Sequence, residues 1–445
     1  MLTRRQFLES GCAAVAASAT SVLKGSARAA EPGCASEYRA LVCVALGGGA
    51  DSFNMLVPAD ASRYPIYARR RGSLALSARE LLPLQSGDTD SRLYAVHRGL
   101  SEVRELYHDK QVALLANVGP VQRPDRYGAG ALDLSHTDFI ARWQLGQSDF
   151  RSQSGWAGRA ADVLQRSCRL DRLPMNVSMS GRNAMQLGAQ SLAANLETSP
   201  YRQNVGIDVG VDFSYVNERL ERRAVEAGRP RAIARKTRMQ KDVDLASRHI
   251  VETATAGVAG FETRFAKDPF SADLERVARI IAARDQLRVC RQIFFVHFDG
   301  WDHHHELLAN QAELLPDLGG GLSAFRNVLV ELGVFDDVTT FTISEFGRCL
   351  EPDGSGSDHG WGGHSIVMGG AVRGGRVFGH FPDLSGCNTL DVGGGSFMPT
   401  MSTDAYLAEF VTWLGVQATD MPFVFPDISR TWSPSVPAGP LGILG

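Results

Sequence analysis

Cysteine is scarce: seven in 445 residues, scattered, with no Cys-x-x-Cys pair. The fold does not need a disulfide framework, because a chain this long buries a core without one. Past the signal, how Cys34, Cys43, Cys168, Cys290, Cys349 and Cys387 pair does not follow from their positions. Beyond the first thirty residues there is no long apolar run, so no transmembrane segment is expected in the mature chain. A strong basic excess is also missing. The formal charge is −3, which argues against nucleic acid as a partner. Gly47-Gly48-Gly49 does not make a dinucleotide fingerprint, which excludes a nicotinamide or flavin role. No Gly-x-Ser-x-Gly elbow accompanies a clear triad, and no repeat or low-complexity block is visible.

What is present begins at the N-terminus. Thr3-Arg4-Arg5-Gln6-Phe7-Leu8 puts an arginine pair ahead of two apolar residues. A mild apolar run over 12–23 follows, and Ala27-Arg28-Ala29-Ala30 supplies small residues at a cut. A charged start, a short apolar middle and a small-residue cut make an export signal over residues 1–30. The arginine pair points to the twin-arginine export machinery as a partner, and to a periplasmic or secreted location. The apolar run is too short and too weakly hydrophobic to span a bilayer. Residues 1–29 carry a net +3, so the cut takes the chain from −3 to −6.

The body, 31–445, shows short apolar runs that each end in a polar cluster. Residues 41–46 run into Gly47-Gly48-Gly49-Ala50-Asp51-Ser52, and 293–296 run into Asp299 through His305. Residues 338–343 run into Ser344-Glu345-Phe346-Gly347-Arg348, and 112–115 into Asn117. These are strand-length and flanked by turn residues, so they read as buried strands. Apolar residues at three-and-four spacing predict helices over 100–108, 272–287, 307–315, 322–332 and 407–414. Strands alternating with helices predict an α/β fold: a mostly parallel central sheet with helices on both faces. The stretch 219–241 is basic but interleaved with acids, and reads as a solvated face. Roughly 160–260 is a candidate helical cap or insertion.

Ligands bind outside the carboxyl ends of parallel strands. Asp51, Asp302 with His303-His304-His305, and Glu345 each follow such an end, so they converge on one edge. The Gly-rich loop after Glu345 brings Asp358, His359 and His364 to the same edge. Crowded carboxylates repel by about 1–4 kcal/mol per pair at ~4 Å in wet surroundings. Cations are the usual remedy: Asp with neutral imidazole suits zinc, and Asp with Glu suits magnesium or manganese. Each element has a plainer reading alone: a turn at Asp51, exposed rings at 303–305, a Glu345–Arg348 ion pair, a loop clasp at Asp358-His359. Their common placement favours one or two divalent ions, which suit a phosphate or sulfate ester. Ser135 and Ser52 are the candidate nucleophiles.

At these residues the chain resembles the secreted family known as domain of unknown function 1501, placed within the alkaline phosphatase and sulfatase superfamily. The phrases that carry the resemblance run in order. They are Leu46 through Asp51 with Asn54 and Pro58, Ser135-His136 with Trp143, Gly155 through Arg159, Trp301 through His304, Ser344 through Arg348, Asp358-His359-Gly360, and Gly369 through Gly375. The resemblance implies an alkaline phosphatase-like fold, with metal ligands at Asp51, Asp302, His304, Asp358, His359 and His364. It also implies a nucleophile at Ser135. Two departures stand out. The superfamily spaces its second Asp and His four apart, which Asp299 and His303 satisfy, whereas Asp302 and His304 are two apart. The Cys/Ser-x-Pro-x-Arg phrase of sulfatases is missing after the first strand, which argues against that activity.

The first expectation is therefore a periplasmic metal-dependent hydrolase of a small-molecule or cell-envelope phosphate or related ester. Glu345 ligates or orients, and Arg348 holds an anionic group. Ser135, or a water held at the ion, attacks. The alternative is a non-catalytic metal-containing cell-envelope binding protein. A third reading treats the polar clusters as loop clasps only.

Overall fold

A computed structural model describes residues 37–85, 93–121, 136–146, 154–167, 173–196, 243, 245–256, 260–432 and 439–445. The signal segment, Ser135, Cys34, Cys168 and the basic stretch 219–241 lie outside the described residues. The described strands are β1 (Arg39–Leu46), β2 (Leu56–Pro58), β3 (Leu81–Pro83), β4 (Tyr94–His97), β5 (Val112–Gly119) and β6 (Asn176–Ser178). They continue with β7 (Ala194–Asn195), β8 (Arg291–Phe298), β9 (Val338–Ser344), β10 (Gly363–Met368), β11 (Val377–Gly379) and β12 (Met401–Ser402).

The central sheet has the order β11-β5-β10-β9-β1-β8-β6-β7, with β12 added beside β5. β1 lies parallel between β8 and β9, and β6 continues parallel to β8. β10 departs from the parallel pattern, running antiparallel to both β9 and β5. Its first residues therefore start at the edge where β1, β8 and β9 end. β2, β4 and β3 form a small antiparallel sheet.

Both faces of the sheet are covered, as the near-continuous apolar runs predict. Along β1, Ala40, Val42, Val44 and Leu46 enter one core with Leu274, Ile281, Leu318, Leu322 and Phe325. Leu41, Cys43 and Ala45 enter the opposite core with Trp156, Ala160, Leu407, Phe410 and Leu414. Each fully buried Leu or Phe here contributes roughly 1.5–3 kcal/mol. The helices begin where capping chemistry is available. Asp268 accepts from Ser271 N–H at 2.7 Å to start Pro269–Ala282. Ser402 Oγ accepts from Ala405 N–H at 3.1 Å to start Thr403–Leu414.

Two helices expected at 307–315 and 322–332 are one helix, Leu307–Glu331, running through Pro316. Proline and glycine disfavour a helix interior. Tertiary packing prevails: Leu315, Leu318, Leu322, Phe325, Val328 and Leu329 are all buried along it. Gly321 is small where a Cβ would come 2.7 Å from the Phe270 ring. The described part of 160–260 belongs to this main body. Helix Trp156–Ser167 packs in the second core, β6 and β7 extend the sheet, and Ile250 and Ala254 pack in the first core. Among the described residues no helix is long and apolar enough to cross a membrane.

Candidate metal centre

Three loops leave the carboxyl ends of β1, β8 and β9 and pack on one another. The loop after β1 makes this possible through its glycines. Gly48 has φ +107° and Gly49 φ +83°, conformations that L side chains rarely adopt. A Cβ on Gly48 would lie 2.6 Å from the Asp302 backbone nitrogen, and one on Gly49 2.0 Å from the Phe346 ring. The turn is closed by Trp301 N–H to Gly47 O at 3.0 Å and Ala50 N–H to Ser344 Oγ at 2.8 Å.

The segment Asp358–Gly360 lies antiparallel beside Gly347–Cys349. Cys349 N–H donates to Asp358 O at 3.0 Å and Gly360 N–H to Gly347 O at 2.7 Å. This pairing carries His359 to the β8 loop, where its Nε2 lies 3.7 Å from Asp302 Oδ1. His304 Nε2 is 3.1 Å from the same oxygen and 3.0 Å from His359 Nε2. A third imidazole comes from His136, at the start of helix His136–Leu145. Its Nε2 is 3.7 Å from Asp302 Oδ2, and its Nδ1 is hydrogen-bonded to Glu345 Oε2. Its ring packs against Phe346 and His359, with centroids at 5.0 and 4.5 Å.

The donor chemistry fits a divalent cation. His136, Asp302 and His359 offer ligand atoms all within 4.8 Å of one another, as do His304, Asp358 and His359. Zinc–ligand bonds of about 2.0–2.1 Å in a tetrahedron put neighbouring ligands about 3.3 Å apart. His304 Nε2 lies 3.0 and 3.1 Å from His359 Nε2 and Asp302 Oδ1, and His136 Nε2 and His359 Nε2 each lie 3.7 Å from an Asp302 oxygen, on either side of that value. Glu345 lies behind His136 and is in neither donor group. One of its oxygens holds His136 and the other accepts from Gly48 N–H at 2.9 Å. A carboxylate on Nδ1 fixes the proton there and turns the lone pair on Nε2 toward Asp302.

Arg348 is fully buried, and its guanidinium is engaged by protein acceptors. It donates to Gly49 O at 2.8 Å, Ser357 O at 2.8 Å, Gly48 O at 2.6 Å and Asp302 Oδ1, with His304 Nε2 at 3.3 Å. The expectation that it grips a substrate anion is therefore corrected: it knots the three loops and holds Asp302. Burial alone would raise the Asp302 carboxyl, but bonds from His359 and Arg348 hold it well below the ordinary carboxylate range. Burial, with Arg348 nearby, lowers the His304 imidazole and favours its neutral form.

Asp51 is fully buried, and its Oδ2 is paired with Arg71, itself fully buried. Arg71 also donates to Cys349 O at 3.0 Å, Leu350 O at 2.9 Å and Asn54 Oδ1 at 3.2 Å. Burial pushes the Asp51 carboxyl up, against the pull of Arg71 and Arg348. Asp358 is exposed, and its carboxylate accepts from His359 N–H at 2.7 Å.

His364 stands apart from the cluster. Its ring lies against Phe53 and Phe381, and its Nδ1 accepts from Asn117 N–H at 3.1 Å. Ser52 is buried beside it, its Oγ accepting from His364 N–H at 2.9 Å. Of the two Asp/His pairs left open by spacing, the structure groups Asp302 with His304. Asp299 lies 3.1 Å from His297, and His303 is buried against Trp301.

In the sequence His136 stands out only as the neighbour of Ser135, and Arg71 does not stand out at all. The signal for His136 was its place in the Ser135-His136 phrase. Nothing local marks Arg71, whose partner is 20 residues away.

Solved structures resemble the chain in outline. Ps i-CgsB matches at 10% identity over 91% of this chain and 78% of its own, with a TM-score of 0.35. The PsFucS1 sulfatase from Pseudoalteromonas sp. matches at 10% identity over 85% and 68%, TM-score 0.36. The lipoteichoic acid synthase LtaP from Listeria monocytogenes matches at 11% over 81% and 74%, TM-score 0.33. At these values the likeness says nothing about activity. None of the curated proteins matches the chain. The model of the family described as protein of unknown function (DUF1501) matches residues 38–392, and the chain belongs to that family.

Proposed function

We propose that this chain is an exported, metal-dependent hydrolase acting on a phosphate or related ester. The observation that carries the reading is the convergence of His136, His304 and His359 on Asp302, with Glu345 aiming His136. A divalent cation there would polarise the ester and offset its developing charge. The chain's own groups do the rest. Arg348 fixes Asp302 and the glycine turn, so the ligands are held before substrate arrives. Ser135 directly precedes His136 in the sequence and is the proposed attacking group. The N-terminal arginine pair and the disulfide bond at Cys290 support export to an oxidising compartment.

The test is a panel of aryl phosphate monoesters, diesters and sulfates offered to the mature protein, with and without chelator. Hydrolysis of a phosphoester, lost with chelator and in Ser135→Ala, supports the reading; no turnover of any ester by the metal-loaded protein contradicts it. The engagement of Arg348 by protein acceptors favours a second reading, a non-catalytic metal-containing protein that binds a cell-envelope partner.

A further inference from the structure

Resting on the metal-centre reading above, we propose that the site takes one zinc ion, ligated by His136 Nε2, Asp302 and His359, and that Arg71 and Arg348 stand where a second cation would be needed. Three observations lead there.

The first is the shared ring. The two donor groups, His136–Asp302–His359 and His304–Asp358–His359, have His359 in common. A neutral imidazole has one lone pair, so the two groups compete for it. The first group is the better prepared. Its His136 is fixed by Glu345 and its Asp302 by Arg348. The second relies on exposed Asp358, which already accepts a backbone N–H, and on His304, which faces the Arg348 Nη1 at 3.3 Å.

The second observation is Asp51. Its carboxylate is fully buried and paired with a fully buried guanidinium. Tyr67 OH donates to Asn54 Oδ1 at 2.8 Å, and that oxygen also accepts from Arg71 Nε. Arg71 is thus held in place by several partners and supplies a counter-charge at Asp51 Oδ2, while Asp51 Oδ1 is buried with no hydrogen-bond partner among the described residues.

The third is the charge count. Leaving aside the exposed Asp358, the buried Asp51 and Glu345 and the partly buried Asp302 bring three carboxylates to the site, and the buried Arg71 and Arg348 bring two positive charges. One divalent ion more than covers the remainder; two would leave a large positive excess. Two imidazoles with one carboxylate suit zinc, while magnesium prefers an all-oxygen shell. Three protein ligands leave a fourth position open, as catalytic zinc sites do.

The experiment is zinc stoichiometry of the mature full chain after chelator removal. It combines competition titration against a chromophoric chelator with elemental analysis, and near-ultraviolet circular dichroism checks the fold. The expected result is one zinc per chain, retained in Asp358→Asn and in Asp51→Asn, and weakened at least tenfold in His136→Gln and in His359→Gln. The wild-type stoichiometry stands by itself should Asp51→Asn fail to fold. Two tightly held ions overturn the single-ion inference and leave the hydrolase reading intact. Loss of zinc in His304→Gln and Asp358→Asn with retention in His136→Gln overturns the ligand assignment and likewise leaves the hydrolase reading intact. No zinc bound to folded wild type, with no stoichiometric manganese or magnesium, overturns both.

Discussion

Glu345→Gln isolates the orienting contact from the ligands themselves. The carboxylate does two things in the structure: Oε2 holds His136 Nδ1 and Oε1 accepts from Gly48 N–H at 2.9 Å. An amide can replace only one of these acceptors. If its oxygen stays on Gly48, its NH2 faces His136 Nδ1, which must then accept. The imidazole proton moves to Nε2, and the lone pair that faces Asp302 is lost. If the amide turns over, NH2 meets the Gly48 N–H, leaving a buried donor unpaired at about 1–3 kcal/mol. Either way the ligand set is disturbed without removing a ligand. Loss of such an outer partner weakens metal affinity roughly 10–100-fold, which is about 1.4–2.7 kcal/mol. Competition titration with zinc reads this directly. A wild-type zinc affinity in folded Glu345→Gln would refute the reasoning, because it would mean His136 does not need its carboxylate to bind.

Three further outcomes follow from the same geometry. Arg71→Met leaves the buried Asp51 carboxylate without its partner, and should cost about 3–5 kcal/mol in urea unfolding; a loss under ~1 kcal/mol would show that Asp51 has another counter-charge. Gly49→Ala forces a side chain into φ +83° and against the Phe346 ring, so its melting temperature should fall, and an unchanged value would contradict the close approach of the two loops. Burial holds His364 down to about 3, whereas unfolded histidine titrates near ~6.5. Its stabilising effect is complete above ~6.5 and is lost as the pH falls from there toward 3, because only the unfolded state takes up the proton. The slope is about 1.4 kcal/mol per pH unit. In chelator, His364→Asn should show an acid limb flatter by that amount, and equal slopes would contradict the neutral buried ring.

Much of the architecture was legible because β1, β5, β8 and β9 are apolar runs bounded by turn residues, and parallel strands put their carboxyl ends on one edge. That topology alone brings Asp302, Glu345 and the glycine loop together. What escaped depends on contacts between distant segments. His136 meets Glu345 across 209 positions, and no local spacing announces it. Arg348 read as a substrate clamp because an exposed arginine would serve as one; burial at 0% exposure gave its donors to the loops instead. The single helix through Pro316 was missed because propensity is local and the packing against Phe270 and Leu274 is not. The antiparallel entry of β10 likewise has no signature in its own residues, although it is what carries His364 into the aromatic pocket instead of the cluster.

The most direct test of the central claim is anomalous scattering from crystals of the mature protein grown with zinc. The account predicts one strong peak at the carboxyl end of β1 and β8, about 2.0–2.2 Å from His136 Nε2, His359 Nε2 and an Asp302 oxygen. The absence of a peak there, with the cluster ordered, or a first peak on the Asp51 carboxylate in place of Arg71, would contradict it.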